Sequence, residues 1–400
     1  MMDLIIGAGI SGISYANFIK NDYLLIEKEN EPGGYCRTIK RNGYVWDYSG
    51  HFFHFQHPNI EEFVCQNLSP SSLLKVEKHT QIYYKGDYID FPFQKNIHQL
   101  DKEELIDCLY DLFSVNHGGI RSFKEMVYAN YGKSIAEKFL IPYNEKLYAY
   151  DLDRLDMNAM GRFFPKANKE DIILNFRSQD NSFTYPKDGA MEYVQSLLKN
   201  VDRTKVCLNE ELLGIDMEEK VAITNKRKIK YDRLISTQPL PSLLDQCRLG
   251  YDSNTFSCNK VLVFNLGFDS KGNDQRNSWV YVPEKDYIFY RLGYYDNILG
   301  TDKMSLYVEI GFPENEVLCK EGLYLDRVMT DLKRMGVVTT QKLVDYETVL
   351  MKPAYVHISK ESQEAISRYK SILKEKDIYS IGRYGSWTYC SIEDNILEAK

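Results

Sequence analysis

Asp3-Leu4-Ile5-Ile6-Gly7-Ala8-Gly9-Ile10-Ser11-Gly12, followed by helically spaced apolar residues from Ile13 to Lys20 and a second apolar run from Tyr23 to Glu27, decides the fold. Glycines spaced G-x-G-x-x-G also serve ordinary turns. Here they follow a strand and open a helix, so Gly7 permits the tight turn, Gly9 lets the backbone approach a pyrophosphate, and Gly12 lets helix and strand pack closely. The helix start, with Ser11 on it, then faces the phosphates. Glu27 stands 20 residues past Gly7 with Lys28 beside it, where a carboxylate accepts from both ribose hydroxyls and repels a 2′-phosphate. The reading is a βαβ unit for a dinucleotide other than NADP.

Working outward, 400 residues suit two or three lobes around a large cofactor. Charged residues make up 27% and apolar ones 44%, which excludes a disordered or fibrous chain. Lys and Arg total 50 against 57 Asp and Glu, a net charge of −7. Nucleic acid and an anionic membrane are therefore not expected as main partners, and a bound anion must be gripped locally. Eight cysteines without C-x-x-C spacing indicate neither a zinc site nor a disulfide framework, and they suit a reducing cytoplasm. Met1-Met2-Asp3 lacks the basic region of a signal peptide, and no apolar run is long enough for a spanning helix. The 31 tyrosines are unusual, and composition does not separate a lineage bias from a polar aromatic pocket.

Apolar periodicity predicts helices in 101–115, 121–132 and 134–149, and shorter β-branched and aromatic runs predict strands in 205–240 and 255–312. A last strand at 378–381 leads through a Gly-Arg turn to a helix from about Ser391 that carries Asp394 and Asn395. The expected domains are interleaved: 1–90, 185–245 and 355–400 for the dinucleotide, 95–175 helical, and 246–354 an antiparallel sheet.

After Glu27 comes Glu31-Pro32-Gly33-Gly34-Tyr35-Cys36-Arg37-Thr38, a Gly-Gly turn followed by an arginine. This resembles the N-terminal signature of the FAD-binding superfamily that includes amine oxidases and protoporphyrinogen oxidases. The resemblance implies that Gly34 and Arg37 approach the flavin side of FAD. Ile381-Gly382-Arg383-Tyr384-Gly385 resembles that superfamily's second flavin contact, with a helix N-terminus meeting the ribityl and pyrimidine portions, and the resemblance implies cofactor contacts from Gly382, Arg383, Asp394 and Asn395. The implied fold class is α/β: a Rossmann-like FAD-binding domain of the glutathione-reductase or amine-oxidase kind, a helical insertion and a second, antiparallel sheet.

Four further segments stand out: Phe91-Pro92-Phe93-Gln94-Lys95-Asn96, Phe139 to Tyr148, Trp279-Val280-Tyr281-Val282-Pro283-Glu284 with Phe289-Tyr290-Arg291, and Trp387-Thr388-Tyr389. Asn144 and Tyr148 share a helical face at i, i+4, and aromatics with an amide suit a flat nucleobase. Together these blocks resemble the UDP-galactopyranose mutases, the eukaryotic type more than the bacterial, from residue 1 to about 395. The resemblance implies that Tyr281, Arg291, Tyr389 and Arg162 hold a diphosphate. It places Phe91, Gln94, Phe139, Asn144 and Tyr148 at the nucleoside, and Gly50-His51 in a loop beside the isoalloxazine. FAD is then active when reduced, its N5 attacking the anomeric carbon of a nucleotide sugar that recloses as a furanose, with no net redox change. NAD(P)H or a reductase supplies the electrons.

Arginines in bidentate contact suit a diphosphate on a chain of net charge −7. Tyrosine hydroxyls add neutral hydrogen bonds that do not trap the anion. Tyr148 stands where the family commonly has tryptophan, Phe91 where its eukaryotic members have tyrosine, and the spacer before Arg162 is one residue shorter. A thymidine nucleotide, or a 6-deoxy or N-acetylated galactose, is therefore as compatible as UDP-galactose. His51, His54 and His57 do not define a metal site, and none is assigned. Competing readings are an amine-oxidase-like flavin oxidoreductase and a non-catalytic flavoprotein.

Overall fold

In the computed structural model, which describes residues 1–115, 118–165, 167–174 and 182–400, the opening strand Met2–Ile6 is the middle of a five-stranded sheet. The order is Ile378–Ser380, Arg233–Ser236, Met2–Ile6, Asp22–Ile26, Val206–Cys207, and every pairing is parallel. Alternate side chains part to opposite faces: Leu4, Ile6 and Ile26 join one core, Ile5 and Leu25 another. Helices Ile10–Phe18, Met191–Leu198 and Ile392–Ala399 bury their apolar sides on the second face.

The other large sheet has seven strands, in the order Leu343–Met351, Asn259–Phe268, Ser305–Pro313, Arg291–Tyr294, Trp279–Tyr281, Thr80–Tyr84, Asp87–Asp90. Two expectations need correction. The sheet is antiparallel except where Trp279–Tyr281 runs parallel to Thr80–Tyr84. It also absorbs strands 80–84 and 87–90, which the sequence reading assigned to the dinucleotide domain. Strand character is a local signal, whereas the partner here lies almost 200 residues away along the chain.

Register in this sheet builds the site. Tyr281 lies opposite Arg291, and Arg291 opposite Glu309, so three polar side chains stand in one row on one face. Their neighbours Val280, Leu292 and Val308 turn to the other face, into a core closed by helix Glu321–Arg334.

The helical stretch holds Lys102–Phe113, Phe123–Ile135 and Ile141–Tyr148. A kink at Gly132 (φ 74°) is imposed by contact, since a Cβ there would stand 2.6 Å from the Asp111 backbone. The wide turn Ala136–Leu140 precedes Pro142, whose missing N–H suits the first turn of the next helix. That helix ends directly on the central sheet: a Cβ on Gly311 would be 2.2 Å from the Lys146 carbonyl oxygen. Gly311→Ala is therefore expected to pry helix from strand at a cost of about 1–3 kcal/mol. The check is the urea midpoint, which should fall; an unchanged value would mean that the helix is not seated on Gly311.

Candidate active site

The dinucleotide end is built by glycine contacts. Gly7 has φ 97°, and a Cβ on Gly12 would lie 2.0 Å from the Gly7 carbonyl oxygen. Gly33 N–H donates to the Ala8 carbonyl (2.8 Å), which brings the Gly-Gly turn against the first loop, with the Gly9 and Gly34 backbones in contact. Glu27, buried, accepts from the amides of Ala8 (2.7 Å) and Glu29 (3.0 Å), leaving lone pairs for further donors.

Around these residues opens a cavity of about 1280 Å³, walled by Gly7, Gly9, Ser11, Glu27, Lys28 and Gly34, and also by Arg37, His51, Arg383 and Asn395. Such a volume exceeds the roughly 300–1,000 Å³ of ordinary small-molecule pockets. The Arg383 Nε is buried and has no hydrogen-bond partner among the described residues, while the Arg37 guanidinium is paired with Glu31 (3.7 Å) and Glu29 (3.9 Å). A glycine cradle, a carboxylate with spare acceptors and two arginines on the wall, one of them with a buried Nε left without a hydrogen bond among the described residues, fit an anionic dinucleotide such as FAD.

The chain ends meet here. The Asn395 amide oxygen accepts from the Ser11 hydroxyl (3.0 Å) and the Arg383 amide (2.7 Å). Gly382 (φ 84°) leaves no room for a side chain, because a Cβ would stand 2.6 Å from the Ser11 hydroxyl oxygen. The helix N-terminus expected at this turn requires correction. Helix Gly382–Gly385 is a single turn, and its first two amides are occupied by Glu398 and Asn395. What faces the cavity is instead the Arg383 guanidinium, packed over the rings of Tyr355, Tyr384 and Tyr389.

Asp394 is likewise not on the cavity wall. It forms a capping box with Ser391 and pairs with Arg162 at 2.7 Å. Arg162 also donates to Gln56 and Ser391. It thus faces the start of the closing helix, its guanidinium over Phe163, whose ring meets Tyr389 edge-on at 5.1 Å. Lys166 and Arg177 lie outside the described residues.

Arg291 departs most from expectation. Its Nε and one terminal nitrogen donate to Glu309 (both 2.8 Å), a fully buried carboxylate, so the row carries a neutral pair where a free cation was expected. Burial would raise the Glu309 carboxyl, yet the Arg291 guanidinium and the Ser49 hydroxyl outweigh it and hold it below the usual carboxylate range. Ser49 donates to Glu309, tying the His51 loop to the same pair. Gly50 packs on Tyr307: a Cβ would stand 2.5 Å from its hydroxyl oxygen. His51 Nδ1 lies 3.1 Å from the Ser49 carbonyl, an acceptor only, so Nδ1 carries the hydrogen and Nε2 is left as an acceptor. Burial pushes this imidazole down to about 4, so it is neutral at pH 7.

Aromatic rings complete the site. Phe91 (4.8 Å), Tyr143 (5.1 Å) and Phe139 (6.4 Å) surround the Tyr281 ring, and Tyr355 stacks on Tyr389 at 5.7 Å. Burial raises the hydroxyls of Tyr143, Tyr281, Tyr290, Tyr355 and Tyr389, which stay protonated donors. Gln94 and Asn144 each commit the amide nitrogen to a carbonyl, of Pro165 and Leu140, and keep a buried amide oxygen without a partner among the described residues. The buried Tyr148 hydroxyl likewise has no partner among them. Glu309, Ser49 and Tyr355 are given no place in the sequence reading, and Tyr143 and Tyr290 lie in segments it singles out without being assigned to the site. Glu309 carried a signal, being the one acid inside the apolar run Leu306–Phe312.

His54 packs on Phe183 and His57 pairs with Glu393. Among the described residues no group of three or more His, Cys, Asp or Glu is placed to hold a metal. None of the described helices is long and apolar enough to cross a membrane.

Residues 5–66 match the family described as NAD(P)-binding Rossmann-like domain. The chloroplastic protoporphyrinogen oxidase of Nicotiana tabacum is 25% identical over 177 residues, a match spanning 39% of this chain and 30% of that protein. Among solved structures, a reduced UDP-galactopyranose mutase superposes with a TM-score of 0.89 at 22% identity, covering 100% of this chain and 92% of that one. Cyclohexylamine oxidase from Brevibacterium oxydans gives a TM-score of 0.70 at 12% identity, covering 99% and 96%. The chain therefore has the Rossmann-like dinucleotide-binding fold shared by that mutase and the amine oxidases. At these identities the likeness is one of fold.

Proposed function

We propose that this chain is an FAD-dependent mutase interconverting the pyranose and furanose forms of a nucleotide-activated galactose-type sugar, UDP-galactose or a dTDP-6-deoxy or N-acetylated analogue. The observation that carries the reading is the cross-strand row Tyr281, Arg291, Glu309, joined through Ser49 to the loop of His51 on the cavity wall. On this reading the row is an anion site beside the dinucleotide site. When bound and reduced, FAD would supply the nucleophile toward the anomeric carbon.

The protein's part is binding, orientation and exclusion of water. Glu27 holds ribose hydroxyls, Arg37 and Arg383 set positive charge along the cofactor's cavity, and the neutral His51 offers an acceptor without adding charge. Arg291, aimed by Glu309, takes the diphosphate together with the hydroxyls of Tyr281 and Tyr389, and Arg162 joins them by exchanging Asp394 for phosphate. A pre-neutralised arginine grips the diphosphate more loosely than a bare one, which suits a leaving group that must return. Phe91 and Phe139 flank the base, with the free oxygens of Gln94 and Asn144 as acceptors and Tyr148 beside them. NAD(P)H or a reductase reduces the flavin, and the reaction runs in the cytoplasm to supply a furanose donor for surface glycan.

A second reading, an oxidoreductase of the amine oxidase or protoporphyrinogen oxidase kind, draws on the match to the tobacco enzyme. Purified protein is incubated with UDP-galactose or dTDP-fucose, with and without dithionite. The mutase yields a furanose product only after reduction, and no electron acceptor is consumed. Turnover of oxidised flavin with acceptor consumption, and no furanose, would establish the oxidoreductase instead.

A further inference from the structure

The connection from Tyr281 to Arg291 is held from two sides by side chains that the reaction does not use, Lys146, which burial pushes down to about 7, and the buried Asp331. From helix Ile141–Tyr148, the Lys146 ammonium donates to three of its carbonyls, Val282 (2.8 Å), Glu284 (2.9 Å) and Phe289 (2.5 Å). Three acceptors match the three N–H groups of an ammonium, and no carboxylate is among them. The Glu284 side chain instead accepts from the Lys85 amide. From helix Glu321–Arg334, Asp331, only 1% exposed, accepts from the Ile288 amide (2.9 Å). Arg327 and Arg334 flank Asp331 and both donate to the Asp286 carbonyl.

A hairpin connection needs no such investment, since water satisfies its carbonyls without cost. What the ions secure is a distance. Lys146 shares its helix with Asn144 and Tyr148, and Tyr143 of that helix touches Tyr281. The helix is anchored on Gly311, two residues beyond Glu309 on the same strand. Helix, connection and strand therefore form a closed triangle with the nucleoside side chains on one edge and the diphosphate row on another.

Resting on the function proposed above, we infer that Lys146 and Asp331 are positioning residues that lock the 282–290 connection and thereby hold Tyr281 and Arg291 at the reach of a nucleoside diphosphate. Neither touches substrate. Loss of the lock weakens binding of the nucleotide part in ground and transition state alike, so KM rises while kcat stays.

The test uses the full-length, flavin-loaded protein with UDP as probe. In Lys146→Met, amides of 282–290 should exchange at least about 10-fold faster. The Kd for UDP and the KM for the nucleotide sugar should rise roughly 10-fold with kcat within about twofold, and the flavin spectrum should not change. Lys146→Arg, which keeps charge and donors, should recover most of the affinity. If Lys146→Met does not fold, Asp331→Asn runs the same test from the opposite side. Wild-type exchange and wild-type UDP affinity in the variant that folds would overturn the inference, as would a fall in kcat at unchanged KM. A wild-type protein that neither binds UDP nor forms furanose refutes the proposed function separately, and exchange at 282–290 still decides whether the connection is locked.

Discussion

Arg291→Ala is expected to be unstable as well as inactive. The substitution leaves Glu309 fully buried with neutral hydroxyls, that of Ser49 first, in place of a cation. Breaking a buried pair from one side costs about 3–5 kcal/mol, because the surviving ion stays desolvated. Removing both ions costs far less, so Arg291→Met combined with Glu309→Leu should regain most of the lost stability. It should regain none of the turnover, which is expected to fall on the order of 10²–10³-fold with the loss of a guanidinium on the diphosphate. Denaturant unfolding and kcat/KM on the same three proteins check this. A single variant as stable as wild type would contradict the burial of the pair, and turnover in the double variant would remove Arg291 from the diphosphate site. Acid acts in the same sense. Glu309 is held below its unfolded pKa, so its contribution is fully present above the ordinary carboxylate range and is lost as pH falls through the depressed value. The double variant should lack that part of the acid sensitivity.

Gly12→Ala is expected to cost the protein its nucleotide. The new Cβ would lie 2.0 Å from the Gly7 carbonyl oxygen, and both atoms belong to backbone that the sheet and the first helix hold in place. Relief requires the helix to move off the strand, which opens the turn around which the phosphate cradle is built. The variant should purify without bound flavin and unfold earlier by about 1–3 kcal/mol. Gly322→Ala is the matched control: a Cβ there meets nothing within 4 Å, and the helical site should gain about 0.4–1 kcal/mol. Flavin content equal to wild type in Gly12→Ala would show that the helix does not abut the turn.

Legibility followed the range of the interactions. The glycines of the first turn and Glu27 were readable because a strand, a turn and a helix within some 25 residues leave few conformations that bury the apolar positions. Tyr281 and Arg291 were readable as polar residues in apolar strands, and the resemblance suggested a role. Their common row was not, because register is decided by strands that meet only in the folded sheet. Asp394 shows the opposite failure. Expected at the cofactor, it caps the closing helix and takes Arg162 instead.

By itself, the sequence determined a dinucleotide-binding α/β unit at the start of the chain, since its signals are local: short continuous apolar strands, a glycine turn, a helix and an acid at a set distance. Only the tertiary structure decided that Arg291 is neutralised by Glu309, that strands 80–90 extend the second sheet, and that Lys146 and Asp331 hold the connection between the site's two halves. Charge compensation in a low-dielectric interior depends on which groups meet across hundreds of residues, and no local pattern records that.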